Sequence, residues 1–286
     1  MTNQKEIEQY YNKFDEDHRL TTRHGLVEFT TTMHYIEKFA EELRLARSAS
    51  CEFVSGNSEE NNNDKIKILD IGAGTGRYST ALLDKGYDVT AVELVKRNLE
   101  VLRSKGTMVK TWQGNAMDLH FLERNTFDVT LLLGPMYHLI SREEKLKAFR
   151  EALRVTKKDG YLIIGYIMND YSVVKYCFGE NKVSECLANG SLTKNFKTVA
   201  SPKDLYSYMT FEEINILNDM AGARRVKMFA PDGPADYMRR ELNAMDDATF
   251  QHFLDYVLSI SERPDLMGAS SHIVDIVKKT PLEDYR

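Results

Sequence analysis

The chain has 286 residues, 42% of them hydrophobic, with 38 Lys and Arg against 43 Asp and Glu and a formal net charge of −5. That length allows one large or two small domains, and the apolar share supports a sizeable core. The acidic balance, with no basic run longer than Lys278-Lys279, argues against a nucleic-acid partner. No apolar run approaches membrane-spanning length, and the polar, charged N-terminus excludes a signal peptide. Three cysteines (Cys51, Cys177, Cys186) form no close pair, and the seven histidines show no ligand spacing, so no metal is expected and a reducing, cytoplasmic setting is.

In chain order, the first signal is Leu26–Arg47. Phe29, Met33, Ile36, Phe39, Ala40 and Leu43 recur there at i, i+3, i+4 spacing, which predicts a long amphipathic helix packed on a sheet. A tyrosine-containing, highly charged stretch from Tyr10 to Arg19 precedes it. Residues 55–64 form a polar linker with no capacity to pack. Residues 1–64 therefore read as an N-terminal helical cap with its linker, and 65–286 as the core.

Residues 66–79 carry most of the information. An apolar strand ends in Asp70, a glycine-rich turn follows (Gly72, Gly74, Gly76), and a helix starts at Arg77. Glycines collect where a backbone must approach a ligand closely. The spacing is G-x-G-x-G, and Arg77 stands where a dinucleotide site has its third glycine, which disfavours an NAD-linked oxidoreductase. D-x-G-x-G-x-G after a strand resembles motif I of the class I S-adenosylmethionine (SAM) dependent methyltransferases, and the resemblance spans about residues 65–168. It implies an α/β, Rossmann-like doubly wound sheet of seven mostly parallel strands, with strand seven antiparallel beside strand six. It also implies SAM as cofactor and S-adenosylhomocysteine as product, with Asp70, Gly72, Ala73, Gly74 and Gly76 at the cofactor.

A short helix, Arg77–Lys85, is stopped by Gly86, and the β-rich run Tyr87–Glu93 ends in an acid about 20 positions after Gly72, where doubly wound folds put a carboxylate on ribose hydroxyls. Glu93 and the adjoining Leu94 are thus cofactor candidates. Thr107–Gln113 reads as a third strand. Gly114–Leu119 after it resembles the family's G-D-A-x-x-L segment with Asn115 in place of Asp, which implies that Asn115, Ala116 and Met117 meet the adenine. Phe127–Leu133 is apolar enough for a strand buried on both faces. The family resemblance puts its carboxyl end beside the reactive methyl group, which makes Leu133 a cofactor contact. His138 is the candidate base, because its ordinary pKa lies near neutrality, and Tyr137 the residue that orients the acceptor. Gly134 stands where the N/D-P-P-Y motif of amino-methylating nucleic-acid enzymes has a polar residue, which counts against a nucleic-acid base as acceptor.

Ser141–Glu144 is a capping box opening a helix with Leu146, Phe149 and Leu153 on one face. Asp159-Gly160 predicts a turn into strand Tyr161–Ile167. A second capping box, Thr210–Glu213, opens a helix ended by Gly222. Strands follow at Arg225–Phe229 and His272–Val277. Two helical insertions interrupt this pattern, at about 169–208 (Tyr171, Tyr176, Tyr206, Tyr208) and 232–271 (Phe250, Phe253, Leu254, Val257, Leu258). They would either build an aromatic acceptor pocket at the carboxyl ends of the strands or serve as core under a cap. The family resemblance further implies an N-terminal lid, with Tyr11 over the cofactor and Arg19 or Arg23 on the methionine carboxylate. The function it implies is in-line transfer of the SAM methyl group to a small-molecule acceptor. The alternative is a SAM-binding regulatory or scaffold protein without catalysis.

Overall fold

The computed structural model describes residues 4–11, 22–52 and 65–280; Arg19 and the linker at 55–64 lie outside them. The strands are β1 (Lys67–Ile71), β2 (Asp88–Glu93), β3 (Lys110–Gln113), β4 (Phe127–Leu132), β5 (Thr156–Ile167), β6 (Ala223–Phe229) and β7 (His272–Lys279). They form one sheet in the order β3-β2-β1-β4-β5-β7-β6. β1 to β5 are parallel, and β7 runs antiparallel to both β5 and β6. The expected mostly parallel, seven-stranded Rossmann-like sheet is the one observed. The chain order reverses between β1 and β4, and the crevice outside the carboxyl ends at that point is where such sheets bind ligands.

The helices are α1 (Gln4–Tyr11), α2 (Arg23–Glu52), α3 (Arg77–Asp84), α4 (Lys96–Ser104), α5 (Arg142–Val155), α6 (Phe211–Ala221) and α7 (Asp247–Ile260), with several one- or two-turn helices between them. α5 and α6 both start at the predicted capping boxes: Ser141 and Thr210 accept from the amides of Glu144 and Glu213, whose side chains reach back. α4 carries no signal in the motif reading, yet its buried Asn98, Leu99 and Leu102 close the crossover from β2 to β3. Strand β5 starts at Thr156, directly after α5, and not after a turn at Asp159-Gly160. The residues between Thr156 and Tyr161 are absorbed by a register shift against β4 rather than by a reversal of the chain.

Two apolar layers cover the sheet. On one side the long helix α2 sets Met33, Ile36, Phe39 and Ala40 against Ile68, Val129, Tyr161 and Ile276. Tyr35 stacks on Phe229 at 3.9 Å between ring centroids, and its hydroxyl donates to Glu262 at 2.9 Å. Asp128, 1% exposed, holds Arg47 of α2 and accepts from the Lys67 amide at 2.8 Å, so helix and sheet share one buried carboxylate. On the other side α5 and α6 pack Leu146, Phe149, Leu153, Ile214 and Leu217 over Leu132, Leu162 and Ile164. Full burial of side chains of this size stabilises by about 1.5–3 kcal/mol each.

The insertions divide the two roles expected of them. α7 of the second buries Phe250 and Val257 with Val27 and Leu242, a satellite core. The first folds over the carboxyl edge of the sheet. It also brings Cys177 and Cys186 together in a small cluster with Val173 and Leu192, where burial and the Cys186 thiol both raise the pKa of Cys177. Nine residues apart in sequence, the two thiols are neighbours in space, and both are free. Among the described residues, no helix is long and apolar enough to cross a membrane.

Candidate functional site

The loop after β1 is pinned beneath the crevice by amides of Gly72 and Ala73 donating to the Val92 carbonyl at 2.8 and 3.2 Å. Gly72 has φ +75°, and a Cβ there would lie 2.7 Å from the side chain of Pro135, so only glycine lets the loop meet the 3-10 turn Pro135–Tyr137. Gly76 faces the opposite way. Its φ is +86°, and a Cβ would stand 2.2 Å from Leu102 Cδ1 of α4. Expected at the cofactor, Gly76 instead does not line the crevice; it closes the packing of loop on helix. Gly76→Ala should therefore lower stability by about 1–3 kcal/mol through strain and overpacking, read as a denaturant midpoint. A ligand-affinity loss without a stability loss would contradict this.

Glu93 ends β2 with its carboxylate inside the site. Oε2 accepts from the Gly74 amide and Oε1 from the Val95 amide, both at 2.8 Å, and Asn98 supplies a further hydrogen bond. Desolvation pushes its pKa up to about 7 against the pull of these donors. A carboxylate offers about four acceptor positions, so the backbone bonds leave capacity for ligand hydroxyls. Asp70, fully buried, accepts from Ser79 Oγ at 2.6 Å and is raised to about 6 by desolvation. Asn115 Oδ1 accepts from the Met117 amide at 2.9 Å, which leaves the NH₂ of Asn115 as the group able to donate outward.

These residues border one cleft of about 1120 Å³. Of the candidate residues, Tyr11, Asp70, Gly72, Ala73, Gly74, Glu93, Leu94, Asn115, Ala116, Met117, Leu133, Tyr137 and His138 all line it. α1 lies at its mouth through Ile7 and Tyr11. The Tyr11 hydroxyl meets His138 Nε2 at 2.9 Å, and His138 Nδ1 lies 2.9 Å from the Leu205 carbonyl. A carbonyl only accepts, so Nδ1 carries the hydrogen and the Nε2 lone pair is directed at Tyr11. The expected base thus reaches an acceptor only through the Tyr11 hydroxyl.

Arg23 is not at the cleft. Its Nη2 donates to Asp247 at 2.8 Å and its guanidinium lies over the Phe250 ring, joining α2 to α7. Among the described residues, the arginine that lines the cleft is Arg77, 4.7 Å over Phe29, with a buried Nε lacking a hydrogen-bond partner. Sequence reading used Arg77 only to exclude a dinucleotide. Its place at the first turn of α3, right after the glycine loop, was the signal for a cationic wall. Glu28 and Asn98 are further cleft residues that motif reading did not mark.

A second pocket, about 670 Å³, adjoins the cleft across Tyr11 and Tyr137, which line both. The first insertion contributes Tyr171, Tyr176, Tyr206 and Tyr208 to it, and His272 stands at the start of β7. The aromatic insertion is thus a pocket wall.

Comparison with known proteins gives the same region. A family described as a methyltransferase domain matches residues 69–164. The glycine/sarcosine N-methyltransferase of Parasynechococcus marenigrum is 31% identical over 107 residues, 35% of this chain and 37% of that protein. The demethylmenaquinone methyltransferase of Paenarthrobacter aurescens is 35% identical over 98 residues, 34% of this chain and 37% of the relative. The chain thus spans little more than a third of the length of the curated relatives it matches. In fold, a SAM-dependent methyltransferase structure from Methanosarcina mazei superposes with a TM-score of 0.51 at 15% identity, covering 75% of this chain and 92% of that one.

The cleft fits an adenosyl–amino-acid cofactor on its own geometry. The loop from Gly72 to Gly74 lines it, a buried carboxylate with acceptor capacity stands at the end of β2, and Arg77 lines the same cleft. Residues 69–164 thus carry a methyltransferase domain, and the cleft built on them is one suited to S-adenosylmethionine.

Proposed function

We propose that the chain transfers the methyl group of SAM to a small-molecule acceptor. The observation that carries this is the meeting of the cofactor cleft and the tyrosine-lined pocket at Tyr11 and Tyr137. A donor in one and an acceptor in the other would meet beside these two rings, which border both spaces. When bound, the cofactor supplies a methyl group already activated by its sulfonium, so the protein's task is alignment. In this reading Gly72, Ala73 and Gly74 run under the methionine portion with Asp70 behind them, while Arg77 takes its carboxylate. Glu93 and Leu94 hold the ribose, Asn115, Ala116 and Met117 the adenine edge, and Leu133 the sulfur end. Tyr137 orients the acceptor, and His138 keeps Tyr11 closed over it. Residues 1–64 act as a helical cap on the core of 65–286. The glycine/sarcosine and demethylmenaquinone relatives are named for small acceptors, which supports the same class.

The test is incubation of the purified chain with methyl-labelled SAM and a cell extract filtered to small molecules. Release of S-adenosylhomocysteine with label in an extract component is expected. Uptake of SAM without any product would instead make the chain a sensor or scaffold. His138→Ala should lower turnover while leaving SAM affinity within a fewfold, followed by initial rates and calorimetry. Unchanged turnover would remove His138 and its tie to Tyr11 from the reaction.

A further inference from the structure

β7 runs antiparallel, so its first residue, His272, pairs with the last residue of β5, Ile167, at the edge where the parallel strands end. Asp232 reaches the same edge from the segment after β6. Its carboxylate is buried and accepts from four donors: Ser270 Oγ at 2.5 Å, Ser271 Oγ, the His272 amide at 3.2 Å and His272 Nδ1 at 2.8 Å. These donors, His272 first, hold the carboxyl below the usual range although burial, the largest single influence, works to raise it. An ionised carboxylate can only accept, so Nδ1 carries the hydrogen and Nε2 the basic lone pair. Such a partner fixes the tautomer, raises the basicity of the ring and stabilises the imidazolium once it forms.

The ring lines the tyrosine pocket, 6.5 Å between centroids from Tyr137 on the wall shared with the cofactor cleft. Asp236 and Arg239 line the same pocket but pair with each other, and Asp236 also accepts from Tyr171. From α2, His24 and Glu28 face the ring across an adjoining cavity. Tyrosine faces suit a flat, apolar body.

We propose that His272, oriented by Asp232, is the general base for methyl transfer, and that the acceptor is a flat small molecule whose nucleophile carries a proton at neutral pH, a hydroxyl or an ammonium. This rests on the methyltransferase reading above. His272 Nε2 takes the proton from the acceptor O–H or N–H. The freed lone pair forms the new bond to the methyl carbon as the carbon–sulfur bond breaks, its electron pair staying on sulfur. The imidazolium, paired with Asp232, then releases the proton to water. His138, with its lone pair on Tyr11, is left a positioning role.

The experiment uses the full chain, labelled SAM and the small-molecule extract split on a cation exchanger into an amine fraction and a neutral-to-acidic fraction. Label in the first marks an ammonium acceptor, in the second a hydroxyl. His272→Gln should lose about 10²–10⁴-fold in transfer with SAM affinity kept within twofold. Its residual rate should climb about tenfold per pH unit where the wild type is level, because the acceptor must then shed its proton unaided. Asp232→Asn should lose at least tenfold. A His272→Gln rate within threefold of wild type, or an unchanged pH profile, overturns the base while leaving methyl transfer standing. If His272→Gln fails to take up SAM, the wild-type profile at saturating SAM decides: a one-proton fall in rate on the acid side supports the base, and a level rate from about pH 5.5 to 9 overturns it. A wild type that binds SAM and labels neither fraction overturns the methyltransferase reading and the base with it.

Discussion

Glu93→Ala should weaken SAM binding about 100-fold or more, the largest binding effect in the molecule. Two ribose hydroxyls donating to an ionised, desolvated carboxylate are worth about 1.5–3 kcal/mol each, and every 1.4 kcal/mol is about tenfold in affinity. The pH dependence gives a sharper check. In the free chain the Glu93 carboxyl titrates near 7, raised by burial, so it is largely protonated on the acid side. Hydroxyl donors favour the anion, so binding there must expel a proton. SAM affinity should fall by up to about tenfold per pH unit below 7 and level off above it. For the unliganded fold the sign is reversed. A carboxyl with a raised folded pKa contributes stability at pH below its unfolded value, and that contribution fades as pH rises through about 7. Glu93→Gln should remain folded yet bind SAM without this acid-side slope. Titration calorimetry from pH 5.5 to 8 measures both, and a wild-type affinity level across that range would remove Glu93 from the ribose site.

Arg225→Ala should destabilise the fold by about 3 kcal/mol, the low end of the cost of stranding a buried charge. Asp275 of β7 is 0% exposed and takes both Nε and Nη2 of Arg225, at 2.7 and 2.8 Å, with Asn218 Nδ2 at 2.8 Å. The low end applies because the arginine is about a third exposed. Even with these partners, desolvation keeps the Asp275 pKa above its ordinary value. Without Arg225 it climbs further, so the variant's deficit should be smallest in acid and widen as pH rises. Arg225→Ala combined with Asp275→Asn should recover part of the loss, since no buried charge is then left unpaired. Urea unfolding at pH 5 and 8 reads this. An equal deficit at both values would mean that lost packing, not the stranded carboxylate, sets the cost. The consequence reaches the site, because β7 carries His272 three residues before Asp275.

How far these features could be read in advance depends on the distance along the chain over which each is encoded. The glycine loop, both capping boxes, the acid at position 93 and the buried strand 127–132 are each set by neighbours within a few residues: a positive φ that only glycine tolerates, a hydroxyl three residues from a Glu, an unbroken apolar run. Their order along the chain then dictates a parallel sheet with its crevice beside β1 and β4, and with it the cofactor cleft. Tertiary structure alone decided which side chains share a space across long loops. Strand register carried His272 to the carboxyl edge and onto Asp232. The packing of α4 set Gly76 against Leu102 and not on the cleft, the run of α2 sent Arg23 to Asp247 and left Arg77 at the cleft, and α1 set Tyr11 on His138. Those pairings follow from where whole elements come to rest against one another, and no local pattern of residues encodes that.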